Sequence, residues 1–255
     1  MKAKLACFVA IALMFALLAS AASLGEADGA YDPEIEAILS GMSLEDKIGQ
    51  MMVVCFRVWK EMPQEEGAPE GEAVNVTELN DAIRECLATR HFGGTVLFAE
   101  NCHDAEQVLR LVADMQSTSL AGGGLPMLVA ADQEGGSVAR LGFGTTGPGS
   151  MALAATGDPE NARRMASIYG SELMLLGINA DYAPVMDVNN NPNNPVIGVR
   201  AFSDSPDLVT EYGVAYLEVF AGAASVEFVV VREALESRAL SGSQGSGIPG
   251  VDAAG

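Results

Sequence analysis

The sequence predicts an α/β protein built from parallel β/α units, and three observations predict it. Short apolar runs of strand length alternate with longer stretches of helical period. Gly, Pro and capping Asp, Ser or Thr separate the two kinds of segment. Polar residues cluster just after the apolar runs, at Asp132 to Gly136 and at Pro184 to Asn194, where parallel β/α proteins place their ligand sites. This pattern leaves two architectures open, a closed (β/α)8 barrel and an open doubly wound sheet, because both put the site beyond the strand ends.

The elements follow in order. Lys2 and Lys4, the apolar run Cys7 to Leu18 and the small residues Ala19, Ser20 and Ala21 read as a secretory signal over 1–21, with an uncleaved anchor helix as the alternative. Asp32 caps a short helix with Pro33 at its first position. Ser43 to Asp46 resembles a capping box opening a second helix, which runs into a strand over Met51–Phe56. Residues 60–74, rich in Pro, Gly and Glu, read as an exposed insertion. Thr77 is expected to cap a helix to about Arg90, stopped by Gly93 and Gly94. A strand over Thr95–Phe98, a helix over 104–118 with Val108, Leu111, Val112 and Met115 on one face, and a strand over Met127–Ala131 come next. Asp158 and Pro159 open a long helix ending before Gly177, Ile178–Tyr182 forms a strand, and Ser205 and Pro206 start a helix to about Phe220.

Composition limits the function. The net charge of -20 argues against nucleic acid, which needs a basic face, and against docking on anionic lipid. It fits a small neutral ligand. Cys55, Cys86 and Cys102 would remain after signal cleavage, an odd number with no metal-ligand spacing, so neither a disulfide scaffold nor a metal site is expected. His91 and His103 stand at helix ends and read as structural. Asn75 opens a glycosylation sequon.

Two constellations could carry chemistry. In DQEGGSVAR (132–140), Asp132 follows a buried strand directly and two glycines allow close backbone approach, while Arg140 can return to the same mouth. An Asp132–Arg140 pair that merely holds the loop is the alternative, and it is compatible with binding, since a carboxylate held by Arg still accepts ligand hydroxyls. In the long loop after 182, Arg200 offers planar bidentate bonds to vicinal hydroxyls or a carboxylate, and Asp187 either binds or caps the Asn-rich turn. Gly142 to Gly147 match G-x-G-x-x-G, but no strand precedes and no helix opens on it, so a nucleotide cradle is the lesser reading.

Five segments together resemble the N-terminal barrel domain of glycoside hydrolase family 3, most closely its β-N-acetylhexosaminidases. They are MSLEDKIGQM (42–51), HFGGTVLF (91–98), DQEGGSVAR (132–140), GINADYAPVMDV (177–188) and PVIGVRAFS (195–203). The resemblance covers roughly residues 33–218. It implies a TIM-type (β/α)8 barrel, no cofactor, and hydrolysis that releases terminal N-acetyl-β-hexosamine from cell-wall or chitin-like sugars. It also implies that Asp132, Arg140 and Arg200 contact the non-reducing sugar. The family mechanism it implies is retaining: an Asp attacks the anomeric carbon, a general acid protonates the leaving oxygen, and water releases the sugar.

The resemblance stops near Glu218. The family's His-containing acid/base loop and its nucleophilic Asp follow that point, yet no Lys or His occurs after His103. No catalytic residue is therefore assigned. The expected organisation is a signal over 1–21, a partial family domain over 22–218 truncated after four or five β/α units, and a non-family, flexible tail over 219–255. A closed barrel needs about 250 residues. The polypeptide alone is expected to be inactive and exported to the cell envelope or beyond, with no stable membrane insertion after cleavage. A secreted sugar-binding pseudoenzyme or a non-functional fragment is the alternative.

Overall fold

The computed structural model describes residues 32–61, 71–219 and 227–228. The predicted signal over 1–21, the centre of the insertion and most of the tail lie outside the described residues.

Helix α1 (Pro33–Gly41) belongs to a unit of its own. The Asp32 carboxylate accepts the Glu34 N–H at 2.9 Å, and Pro33 fills the first turn, where a missing N–H costs nothing.

The second unit begins with α2 (Leu44–Gln50), which leads into β1 (Val53–Val54). A small antiparallel hairpin, β2 (Val58–Trp59) with β3 (Val74–Asn75), brackets the predicted insertion. Helix α3 (Asp81–Arg90), β4 (Gly94–Leu97), α4 (Ala105–Ala121) and β5 (Leu128–Ala131) follow. Then come a short α5 (Ser150–Ala154), α6 (Pro159–Leu175), β6 (Ala180–Asp181), α7 (Pro206–Leu217) and β7 (Glu227–Phe228).

The main sheet is parallel throughout, in the order β1-β4-β5-β6-β7. Strands therefore add to one side only, in chain order. A doubly wound sheet reverses direction at a switch point, and the strands of the described residues show none, so the architecture is that of a barrel wall. β7 lies within the segment expected to be a flexible tail, and its pairing with β6 gives five strands.

Two apolar clusters flank the sheet. One joins Ile83 and Leu87 of α3 and Val108, Leu111, Val112 and Met115 of α4 to Leu97 and Val129 of the strands. The predicted face of α4 is thus the buried one. The other packs Met165, Ala166 and Tyr169 of α6 against Val209, Tyr212 and Tyr216 of α7, with the Phe202 ring tilted against Tyr212 at 5.8 Å between centroids. Each such fully buried large side chain contributes about 1.5–3 kcal/mol.

Side chains complete several backbone ladders. The Gln116 amide donates to the Met127 carbonyl and accepts its N–H, fixing the chain just before β5. The Asn179 carboxamide accepts the Val129 N–H at 2.7 Å, so it extends the pairing beyond the two residues of β6. Asn101, fully buried, donates to the carbonyls of Phe56 and Val76 and pins the base of the hairpin.

Three local expectations need correction. Asn80, not Thr77, caps α3, its carboxamide oxygen accepting the Ile83 N–H at 2.8 Å. His91, at φ 47°, takes the left-handed position that ends α3. Its ring is held from both sides, by Asp46 at 2.5 Å and by the Gly122 carbonyl at 3.0 Å, which explains why a non-glycine residue tolerates that conformation. Gly93 instead permits close packing, since a Cβ there would lie 2.0 Å from the Gln50 carbonyl oxygen. The hairpin and α5 were not foreseen, because two-residue strands and a five-residue helix have no measurable period.

Candidate functional site

The site grows from the ends of β5 and β6, which pair Ala131 with Asp181. The three residues after β5 each take a partner from a different segment. Asp132 accepts from Arg140, through Oδ2, at 3.0 Å from Nε and 2.6 Å from Nη2. Gln133 donates its backbone N–H to the Asp181 carboxylate at 2.8 Å, while its side-chain oxygen accepts the N–H of Arg140 at 2.9 Å and of Leu141 at 3.2 Å. Glu134 receives Arg200 as a two-bond fork, Nε to Oε2 at 2.9 Å and Nη2 to Oε1 at 2.6 Å.

The loop owes its path to its glycines. Gly135 and Gly136 both have positive φ, 83° and 60°. A Cβ on Gly135 would also stand 2.4 Å from the Tyr169 hydroxyl. The chain thus turns back sharply enough for Arg140 to reach Asp132.

Exposure separates the two ion pairs. The Asp132 and Arg140 side chains are each about a quarter exposed, at 22% and 26%. Glu134 is 4% exposed while its partner Arg200 keeps 26%. Both guanidinia therefore present an edge to solvent while their carboxylates anchor them. Glu134 and Arg200, with Gly135, Gly136, Ser137, Gly149 and Met151, line a cavity of about 260 Å³. Asp132 and Arg140 are not in its lining. Asp132 is within electrostatic reach instead: Glu134 first, then Asp132 and Asp187, hold the Arg200 guanidinium above its ordinary range. Asp187 is buried beside this group. Beneath Arg140, the Phe98 ring lies 5.3 Å from the guanidinium carbon, and Arg57 covers the same ring at 4.9 Å.

Asp181 differs from these pairs. It is fully buried, and burial pushes its carboxyl up to about 7, with Asp132 and Glu134 adding to the rise and the Gln133 N–H opposing it. The Gly142–Gly147 loop also behaves differently from a nucleotide cradle. Glu172 fills it, accepting the Thr145 N–H and, at 2.6 Å, its hydroxyl. A carboxylate occupies the Thr145 amide that a phosphate would need.

The structure thus brings Asp132, Arg140 and Arg200 to one side of the sheet, with Asp187 near them. Sequence reasoning assigned no role to Gln133, Glu134 and Asp181. An acid placed flush at the end of an apolar strand was the signal available for Asp181. Among the described residues, no group of three His, Cys, Asp or Glu side chains is placed to hold a metal, and no helix is long and apolar enough to cross a membrane.

Comparison with known proteins decides the family. The glycosyl hydrolase family 3 N-terminal domain matches residues 43–231, well over half of the chain. The chain belongs to glycosyl hydrolase family 3. The match extends past the boundary drawn at 218 and takes in β7. "Beta-hexosaminidase A" of Pseudoalteromonas piscicida is 37% identical over 189 residues, which are 71% of this chain and 31% of that protein. "Beta-hexosaminidase LpqI" of Mycobacterium tuberculosis is 33% identical over 180 residues, 69% of this chain and 39% of its own length. Among solved structures, a family 3 β-N-acetylglucosaminidase from Paenibacillus sp. superposes with a TM-score of 0.65 at 37% identity, covering 75% of this chain and 33% of that one. Mycobacterium tuberculosis LpqI superposes with a TM-score of 0.59 at 30% identity, over 77% and 50% of the two chains. This family 3 chain therefore spans about a third of the length of the curated relatives it matches. Its fold is the TIM-like β/α fold of the family, and its five parallel strands form part of such a barrel. The relatives it matches carry the name β-hexosaminidase.

Proposed function

We propose that this chain supplies the sugar-recognising part of a retaining glycosidase that removes terminal N-acetyl-β-hexosamine from cell-wall or chitin-like sugars. Asp132 accepts hydroxyl protons, and Arg140 and Arg200 donate to sugar oxygens from their exposed edges. The observation that carries this reading is the arrangement after β5: two guanidinia from distant segments, each anchored by a carboxylate of the same three-residue stretch. Anchoring fixes the donor forks before the sugar arrives, so little rotamer freedom is lost on binding.

In this proposal the 255 residues supply recognition rather than the bond cleavage itself. Retaining chemistry needs a nucleophile and a general acid on opposite sides of the scissile bond. The segments that carry them in the resemblance follow residue 218, and the 255 residues hold no histidine after His103. A sugar-binding protein without chemistry is the second reading, and the same carboxylate-anchored guanidinia support it. The apolar segment after Lys2 and Lys4 supports export to the cell envelope or beyond.

Release of chromophore from an aryl N-acetyl-β-glucosaminide tests the activity claim. The purified chain is expected to match the blank. Turnover well above blank that disappears in Asp132→Ala would overturn it.

A further inference from the structure

Asp181 is the one fully buried carboxylate among the described residues, and no ion pair accounts for it. One of its oxygens accepts the Gln133 N–H at 2.8 Å. The other is buried without a hydrogen-bond partner among the described residues. A buried carboxylate oxygen left unsatisfied is costly, so a residue kept in this state calls for a reason beyond packing.

Its connections supply one. Gln133 does not stop at Asp181. Its side-chain oxygen gathers the backbone N–H groups of Arg140 and Leu141, which close the loop opened by Asp132. Asp181 thus holds the start of the loop, Gln133 ties the start to the end, and the Asp132–Arg140 pair sits across the same two ends. The middle of the loop has its own anchors, the Gly136 N–H to Gly147 carbonyl bond at 3.0 Å and the Glu134–Arg200 fork, while the Asp181 and Gln133 bonds join its two ends.

We propose that Asp181 is a positioning residue of the sugar mouth, seating Gln133 and through it both ends of the loop that carries Asp132 and Arg140. This rests on the sugar-recognition reading above. Asp181 reaches no sugar; it acts through Gln133.

The groups that face it make this seat sensitive to proton uptake. Asp132 and Glu134 stand on the loop it holds, each already neutralised by Arg140 and Arg200. Tyr169 of α6 and Tyr216 of α7 face it from the helices, both pushed up chiefly by burial and further by the Asp181 charge. With a carboxyl at about 7, Asp181 is half charged at neutral pH. The charged form is the stronger acceptor for the Gln133 N–H. Protonation therefore loosens the loop, and deprotonation tightens it.

Two readouts on the full chain test this. In amide NMR spectra, the Gln133 N–H of the wild type is expected to step downfield with a midpoint near 7, and Asp181→Asn to show no step. In calorimetric titration with N-acetylglucosamine, Asp181→Ala is expected to weaken binding about tenfold, roughly the worth of one charge-assisted hydrogen bond. Asp181→Asn keeps an acceptor oxygen and is expected to stay within about threefold of the wild type, with affinity no longer varying between pH 6 and 8. Gln133→Ala is expected to match Asp181→Ala, and the double variant to be no worse than either.

A Gln133 N–H that does not titrate, or an Asp181→Asn variant as weak as Asp181→Ala with an unchanged pH profile, overturns the proposal. If Asp181→Ala does not fold, the wild-type titration and Asp181→Asn still decide it. If the folded wild type binds no sugar while the Gln133 N–H titrates as expected, the sugar reading fails and the seating of the loop stands.

Discussion

Arg200→Met is the most informative single perturbation, because Glu134 is so much more buried than its partner. The Glu134 side chain is 4% exposed and makes two bonds to the guanidinium. Opposite charges about 4 Å apart attract by about 4 kcal/mol at an effective dielectric constant of about 20. Desolvating each ion costs several kcal/mol, so the intact pair gains little net stability. Arg200→Met removes the attraction and leaves the desolvated carboxylate behind, which typically costs about 3–5 kcal/mol. Arg200 is 26% exposed, so truncating it opens Glu134 towards solvent, and a loss of about 3 kcal/mol, the lower end of that range, is expected. Removing both charges should restore most of it, with Glu134→Met/Arg200→Met within about 2 kcal/mol of the wild type. The assay is urea denaturation at neutral pH, followed by far-UV circular dichroism, on the wild type, both single variants and the double. A coupling of about 2 kcal/mol or more between the two sites is expected. Single losses that simply add, to within about 0.5 kcal/mol, would refute the reasoning.

Three further outcomes are expected. His91 is held above its ordinary range chiefly by its bond to Asp46, helped by the Gly122 carbonyl. Its contribution to stability is therefore full below about pH 6.5 and disappears as pH rises through the folded-state value. Denaturation midpoints between pH 5.5 and 9 should fall less steeply with pH in His91→Gln than in the wild type, the fall that remains below about pH 7 coming from Asp181; an unchanged slope contradicts this. Gly93→Ala pushes a Cβ to 2.0 Å from the Gln50 carbonyl oxygen and should destabilise by about 1–3 kcal/mol, a wild-type midpoint in urea being the contrary result. Glu172→Ala removes the three bonds holding Thr145 and should speed limited proteolysis within residues 142–147, with an unchanged rate opposing the assignment.

The sequence made the fold legible where a period or a cap existed. The α4 face and the Asp32 and Asp158 caps follow from residue type and spacing, and the structure repeats them. It could not choose between a barrel and a doubly wound sheet, because that choice lies in strand order, which local pattern does not encode. The order β1-β4-β5-β6-β7 makes it. The sequence offered Asp132, Arg140 and Arg200 as polar groups in the loops beyond apolar runs, and the structure brings the three to one side of the sheet. Glu134 was not legible in this way, because the fork that explains it joins residues 66 positions apart. Asp181 was hidden for a similar reason: its partner, the Gln133 N–H, is a backbone group with no signature in side-chain chemistry. The end of α3 shows the reverse case, where glycines after His91 suggested the stop and tertiary contacts to Asp46 and Gly122 gave the left-handed position to the histidine itself.

The central claim is that the carboxylates and guanidinia beyond β5 form a sugar-recognising mouth. Calorimetric titration of the folded chain with N-acetylglucosamine at neutral pH tests it most directly, run beside Asp132→Ala and Arg200→Met variants whose near-native circular dichroism has been checked. Saturable binding in the wild type that falls at least about tenfold in each variant is the expected result. No binding by the folded wild type, or equal binding by all three proteins, contradicts it.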